Sequence, residues 1–191
     1  MYIMTNSTRL SSREALIEAA FAVFSRDPSA SLAQVAERAG VGRATLHRHF
    51  TSREELVREL AFLAIKEMDD AAEAACEGVG SHSESLERML EALVPLGDRH
   101  GFLLREPVEN DPDIDAEFER QRREMHDVVE AAKREGLFDK TVPTAWIVQA
   151  YDHLLFAAWE SVRVGEATPK QAAALAWRTI TAGLGDRADD S

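Results

Sequence analysis

The sequence predicts an all-α protein. Helix-start signals recur along the chain, apolar residues between them fall at helical spacing, and alternating Val/Ile/aromatic runs bounded by turn residues are absent. The start signals are Ser or Thr followed three residues later by Glu or Gln, at Ser11–Glu14, Ser31–Gln34, Ser52–Glu55, Ser81–Glu84 and Thr168–Gln171. In each, the hydroxyl can accept from the third backbone amide and the acid or amide can return a bond to the first.

Taken in order, the first three helices are expected near 12–26, 31–38 and 42–49. A fourth runs from about 52 to 76, where Gly78-Val79-Gly80-Ser81 breaks it. A fifth covers roughly 82–99 around Pro95, and a short sixth lies near 101–106. The acidic stretch Glu106 to Asp115, with Pro107 and Pro112, reads as a loop that leads into a seventh helix over about 112–135. Asp111-Pro112 and Thr168-Pro169 both place proline at the first helical position, where its missing N–H costs nothing. The eighth helix spans about 142–164 and the ninth about 168–184.

Composition narrows the function classes. The chain has 191 residues, 45% hydrophobic and 29% charged, the balance of a globular protein with a sizeable core. No run approaches the ~18 uninterrupted apolar residues of a membrane span. The segment Met1 to Ser12 is polar and lacks the pattern of a secretory signal. Cys76 is the only cysteine, so no intrachain disulfide can form. A cytoplasmic protein with no membrane partner is expected. No G-x-S-x-G, P-loop, H-E-x-x-H or C-x-x-C occurs, which argues against an enzyme and against a cofactor. His100, His126 and His153 lack metal-ligand spacing, and no metal is expected. The net charge of −12 is unevenly spread: residues 1–58 carry +2 and the remainder −14. That asymmetry suits a chain of which only one end meets a polyanion.

Residues 31–50 carry the function. Leu32, Val35, Ala36 and Ala39 fall at helical spacing, and Gly40 follows where a left-handed residue avoids a Cβ clash. Val41 plugs the corner, and Leu46 and Phe50 resume a buried face. Two short helices joined by a turn containing glycine form the helix-turn-helix pattern. Its second helix starts with Gly42, Arg43, Ala44 and Thr45, followed by His47, Arg48 and His49. In this geometry the N-terminal residues of the second helix reach base edges in the major groove. Arg43 can bond a guanine edge bidentately, and Thr45 can bond a base or touch a thymine methyl. Ser31, at a helix start, can offer its hydroxyl and amide to a phosphate.

Residues 13–58 resemble the N-terminal domain of the TetR family of regulators. The likeness lies in three blocks in register: Ala15 to Phe24, Val35-Ala36-Glu37-Arg38-Ala39-Gly40-Val41, and Thr45-Leu46-His47-Arg48-His49-Phe50. The tail Thr51-Ser52-Arg53-Glu54-Glu55-Leu56 completes it. The resemblance implies DNA contacts from Ser31, Arg43, Thr45, His47, His49 and Arg53, beside Gly42, Ala44 and Arg48 of the same helix. Two positions depart from the family: His47 stands where Tyr is usual, and Arg53 where Lys is frequent. The expected architecture is a three-helix DNA-binding head (1–51), joined by a long helix to a helical ligand-binding and dimerisation body of about five further helices (52–191). A linking helix of roughly 25 residues would extend ~37 Å.

In the eighth helix Gln149, Asp152, Phe156, Glu160 and Arg163 share one narrow stripe at helical spacing, and the remaining positions are mostly apolar. Such a helix must be covered on both sides: one side can be its own core and the other a partner, or both can lie in a deep monomer core. The ninth helix repeats the theme with small residues. The resemblance implies a two-fold homodimer built from these two helices, with Leu154, Ala158, Val162, Ala173, Trp177 and Ile180 as interface candidates. It also implies a small-molecule pocket in the body. Candidate lining residues are Phe62, Met89, Leu93, Phe102, Met125, His126, Trp146, Tyr151, His153 and Phe156, which favour a small hydrophobic or aromatic effector. The expected function is a ligand-responsive regulator binding double-stranded operator DNA, most simply a repressor. The alternative is a helical protein-interaction module whose acidic body binds a basic partner.

Overall fold

The computed structural model describes residues 10–104 and 111–184. Its helices in chain order are α1 (Ser12–Phe24), α2 (Leu32–Arg38), α3 (Arg43–His49), α4 (Arg53–Cys76), α5 (His82–Leu93), α6 (Gly97–His100), α7 (Pro112–Arg134), α8 (Thr144–Arg163) and α9 (Pro169–Leu184). No strand occurs among the described residues. Residues 1–9 of the polar start and residues 106–110 of the loop expected over Glu106–Asp115 lie outside them, and the rest of that loop is the start of α7, capped by Asp111.

Local chemistry sets most helix starts. Ser11, Ser31 and Thr168 form full reciprocal caps with Glu14, Gln34 and Gln171. Two further starts are capped on one side only. The Ser52 and Ser81 hydroxyls accept from Glu55 and Glu84 amides. The Glu55 carboxylate is taken by Thr51, at 2.7 Å from both its amide and its hydroxyl, and Glu84 pairs with Arg88 at 2.6 Å. The single helix expected over 82–99 is divided. Pro95 has no N–H, so α5 stops at Leu93 and the chain turns through Val94–Leu96 in a 3-10 conformation before α6. A second 3-10 turn, Gly101–Leu104, follows.

The chain forms two compact units, Met1–Leu60 and Ala61–Ser191, and the division falls inside α4. In the first unit Leu16, Phe21 and Phe24 of α1, Val35 and Ala36 of α2, and Leu46 and Phe50 are buried, as are Leu56 and Leu60 from the start of α4. Those two leucines make the opening turns of α4 part of the head.

In the second unit one core joins α5, α7, α8 and α9. Leu86, Leu90, Val129, Phe138, Tyr151, Leu155, Trp159, Ala173 and Ile180 are among its buried members. The two large amphipathic aromatics bury their rings and satisfy their polar atoms on α5. Tyr151 Oη donates to the Leu86 carbonyl at 2.7 Å, and Trp159 Nε1 to that of Leu93 at 2.9 Å. The body half of α4 packs Ala61, Ile65, Met68 and Ala72 inward and adds polar ties. Glu67 accepts from Arg99 at 3.0 and 3.2 Å, and Asp69 accepts from Arg120 and, at 2.8 Å, from Gln121. His100 Nε2 lies 2.9 Å from the same Glu67, and burial pushes the imidazole below its ordinary value.

Glu135, just past the end of α7, caps the start of α5 across 52 to 53 residues of chain. Its carboxylate accepts from the Ser83 hydroxyl at 2.6 Å and from the His82 and Ser83 amides at 2.9 Å each. The Ser83 hydroxyl first, then the two amides, pull its pKa down to about 2. A depressed carboxylate contributes stability above its unfolded value, and that stability is lost as pH falls through the folded value. Glu135→Gln should therefore lower Tm near neutral pH. The gap from wild type should close as pH is taken from about 5 towards 2. A gap that stays constant over that range would show that the carboxylate's charge contributes nothing.

Candidate nucleic-acid interface

The head presents one helix outward, and the turn before it explains why. Gly40 closes α2 with φ +68°, a conformation that L side chains rarely adopt. The Val41 amide reaches back to the Ala36 carbonyl and the Gly40 amide to that of Glu37, both at 3.0 Å. This closing pattern satisfies carbonyls at the end of α2 and redirects the chain. Gly42 then starts α3 in extended geometry, with its carbonyl accepting from Thr45 and Leu46 amides. Leu46 and Phe50 are anchored in the core, so α3 can show only its opposite face.

That face holds Arg43, Ala44, His47 and Arg48, all exposed, with Thr45 and His49 half-buried at its edges. Arg43 and His47 line a notch of about 200 Å³ with Leu32, Ala33 and Leu46, which places polar and apolar groups side by side. The Thr45 hydroxyl accepts from Arg48 Nη2 at 3.2 Å, so Arg48 orients the residue expected to meet a base. Ser31 is exposed, with its amide and hydroxyl both directed at Gln34 Oε1, at 2.8 and 2.9 Å. Gln34 must turn aside before Ser31 can bind a phosphate.

Arg53 has a different environment from the other expected contacts. Its guanidinium donates to the Pro28 carbonyl at 2.5 Å and lies 4.9 Å over the Phe24 ring. It thereby ties the start of α4 to the end of α1. Arg13 acts likewise, 5.4 Å over the Phe50 ring and 2.8 Å from Glu59. Sequence reasoning did not pick out these struts, because nothing in the local pattern links residues so far apart in the chain.

The candidates in the body divide. Met89, Leu93, Met125, Tyr151 and Phe156 belong to or pack against the main core, and Phe102 is buried. Phe62 packs in a separate small cluster with Ala61, Ile65, Leu103 and Ile114. Three others face solvent: Trp146 is 60% exposed, His126 lies beside Asp127, and His153 Nδ1 sits 2.7 Å from the Gln149 carbonyl. The structure therefore does not gather the ten into one lining. Asp152, assigned by its stripe to the polar side of α8, is half-buried beside the inward positions Val148, Tyr151 and Leu155.

The residues expected at a dimer interface also divide. Ala158, Ala173 and Ile180 are buried in the chain's own core, while Leu154, Val162 and Trp177 are half-buried. The outward face of α8 instead carries Trp146, His153 and Ala157, with Val164 just beyond its end. On α9 it carries Gln171, Ala174, Leu175 and Arg178. Leu175 and Val164 are 47% and 48% exposed, and Leu175 lines an open groove of about 460 Å³ with Glu166, Ala167, Gln171, Ala174 and Arg178.

The family model of the bacterial regulatory proteins of the tetR family matches residues 16–60. The chain is 30% identical over 165 residues to the HTH-type transcriptional repressor LfrR of Mycolicibacterium smegmatis, covering 84% of each protein. It superimposes on the crystal structure of that TetR-like regulator in complex with proflavine with a TM-score of 0.78 and 28% identity, covering 91% of this chain and 96% of the other. The ketosteroid transcriptional regulator KstR2 of Mycobacterium tuberculosis shares the fold, with a TM-score of 0.76 at 18% identity over 94% of this chain and 98% of the other.

Proposed function

Because this chain belongs to the tetR family of bacterial regulatory proteins, we propose that it is a transcriptional repressor that binds operator DNA as a dimer and is released by a small molecule. The observation that carries the reading is the outward face of α3. Arg43, Ala44 and His47 are exposed on a helix whose opposite side is locked into the head by Leu46 and Phe50. A rigidly held helix with a cation and small residues at its start is what base reading in a major groove requires. The charge pattern agrees, with a head of +2 on a body of −14 that DNA would repel. The 30% identical relative is a repressor, which favours repression over activation.

Two copies are needed if the operator is two-fold symmetric. The outward stripe of α8 and α9, with exposed Trp146, Ala157, Val164 and Leu175, is the surface we assign to the partner copy. Proflavine, bound by the LfrR structure, makes flat aromatic cations the first class of effector to test. An effector can act only as far as it prefers the conformation that does not bind DNA.

The test is an electrophoretic mobility shift with the intergenic DNA beside the gene, in the presence and absence of a panel of such compounds. A salt-sensitive, sequence-selective shift is expected. Absence of any selective shift would overturn the repressor reading and favour an interaction module. Arg43→Ala should then weaken specific binding by about 1–3 kcal/mol and relax the preference at one base position. Its thermal unfolding should match wild type, because the Arg43 side chain is exposed. Unchanged affinity and unchanged base preference would show that Arg43 does not read sequence.

A further inference from the structure

The head holds the end of α3 between two guanidinium ties that run in opposite directions. Arg13 leaves α1, lies 5.4 Å over the Phe50 ring and reaches Glu59 of α4 at 2.8 Å. Arg53 leaves the start of α4, donates to the Pro28 carbonyl at 2.5 Å and lies 4.9 Å over the Phe24 ring at the end of α1. Phe50 caps the end of α3, and only Thr51 and Ser52 separate it from Arg53. The pose of α3 therefore depends on how the start of α4 is held against α1.

Both anchors of Arg53 are themselves fixed. Phe24 is buried in the core of the head. Pro28 stands in the turn between α1 and α2, which Asp27 closes: its carboxylate accepts from the Ser29 amide at 2.9 Å and its carbonyl from the Ala30 amide at 3.0 Å. Ala30 is buried, so this turn cannot drift from the core. Arg53 is half-buried between them and uses both the flat face and the edge of its guanidinium. Turning it outward to a phosphate would break the stacking and the bond together. Base reading is sensitive to the pose of α3, because a bidentate bond to a base edge needs the right distance and angle. General attraction to the DNA backbone has no such demand.

We propose that Arg53 is a positioning residue for base reading: it sets the pose of α3 from within the head and does not serve the DNA as a phosphate contact. This rests on the reading of the chain as an operator-binding repressor. The two roles make opposite demands on the side chain. A phosphate contact needs a positive charge, and lysine supplies one as a point charge. A strut needs a planar fork that stacks on Phe24 while it bonds Pro28, and lysine lacks that fork. Loss of the strut should cost sequence preference and leave general affinity for DNA in place.

The test measures binding of wild type, Arg53→Lys and Arg53→Ala to the operator fragment and to a scrambled duplex over a series of salt concentrations. Circular dichroism confirms that each protein is folded at the assay temperature, and Arg53→Lys alone decides if Arg53→Ala does not fold. Both variants should bind the operator at least ~10-fold more weakly than wild type. Both should bind the scrambled duplex within ~3-fold of wild type, with an unchanged slope of log affinity against log salt. A phosphate contact would give a different pattern. Arg53→Lys would then match wild type, and Arg53→Ala would lose equally on both duplexes with a slope smaller by about 0.9. That pattern, or a fall in Tm with wild-type selectivity, would overturn the proposal. A wild type that does not distinguish the two duplexes overturns the repressor reading and the proposal with it. If wild type and both variants are equally selective, only the role of Arg53 falls.

Discussion

Ala157→Glu combined with Leu175→Glu is expected to convert the protein from dimer to monomer and to abolish tight operator binding, while leaving each chain folded. Both side chains are exposed on the outward faces of α8 and α9. In an isolated chain the new carboxylates stay in water and cost little. Across a two-fold interface each would meet its own symmetry mate or an apolar neighbour, where an unpaired buried charge is strongly unfavourable. A dimer engages the second half-site as an intramolecular step, so a monomer should lose roughly 10²–10⁴-fold in operator affinity. Sedimentation velocity would report the oligomeric state and circular dichroism the fold. A double variant that remains a dimer would place the interface elsewhere. Glutamate at Ala158 or Ala173 would not make this test, because both are buried in the protomer's own core and their substitution would report on folding.

Gly97→Ala should destabilise the body by about 1–3 kcal/mol, corresponding to a fall in Tm of roughly 2–12 °C for a chain of this size. A Cβ at Gly97 would come within 2.4 Å of Trp159 Cδ1 and 2.9 Å of Trp159 Cβ. Both distances are below real carbon–carbon contacts, and the indole cannot swing away freely. Its Nε1 is tied to the Leu93 carbonyl at 2.9 Å, and the Phe156 ring packs 5.7 Å from its own. Relief requires α6 to move off α8 or the indole to give up its hydrogen bond. Gly101→Ala is the matched control, since a Cβ there meets nothing within 4 Å. It should be neutral or slightly stabilising, because alanine loses less backbone freedom on folding than glycine. Equal effects at the two glycines would mean that the close approach of α6 to Trp159 does not govern stability.

The head was largely legible before any coordinates. Its determinants are local: Ser11 and Ser31 cap with partners three residues away, and Gly40 closes α2 through bonds spanning three and five residues. Leu46 and Phe50 define the inner face of α3 by their spacing alone, so Arg43, Ala44 and His47 could be assigned to the outer face. Arg53 was less legible, since its partners Pro28 and Phe24 lie 25 or more residues away and no periodicity announces them.

The body shows where pattern runs out. Helix α8 is apolar over most of its surface, so its sequence specifies that two sides are covered but not which side meets which neighbour. Ala158 could face a partner or the core with equal chemical sense, and packing against α9 turned it inward and left Ala157 outside. Asp152 followed a stripe with Gln149 and Glu160 on the helical wheel, yet it is half-buried beside the inward positions Val148, Tyr151 and Leu155. The one-sided caps at Ser52 and Ser81 show the same competition, with Glu55 drawn to Thr51 and Glu84 to Arg88.

By itself the sequence determined the all-α class, nearly every helix start and the outward face of α3, because backbone capping and 3.6-residue spacing act within a turn or two of the chain. Tertiary structure alone decided which apolar side of α8 and α9 stays exposed, which guanidinium becomes a strut, and which carboxylate of α8 is half-buried. Those outcomes depend on which distant surfaces exclude water together, and helical spacing says nothing about that.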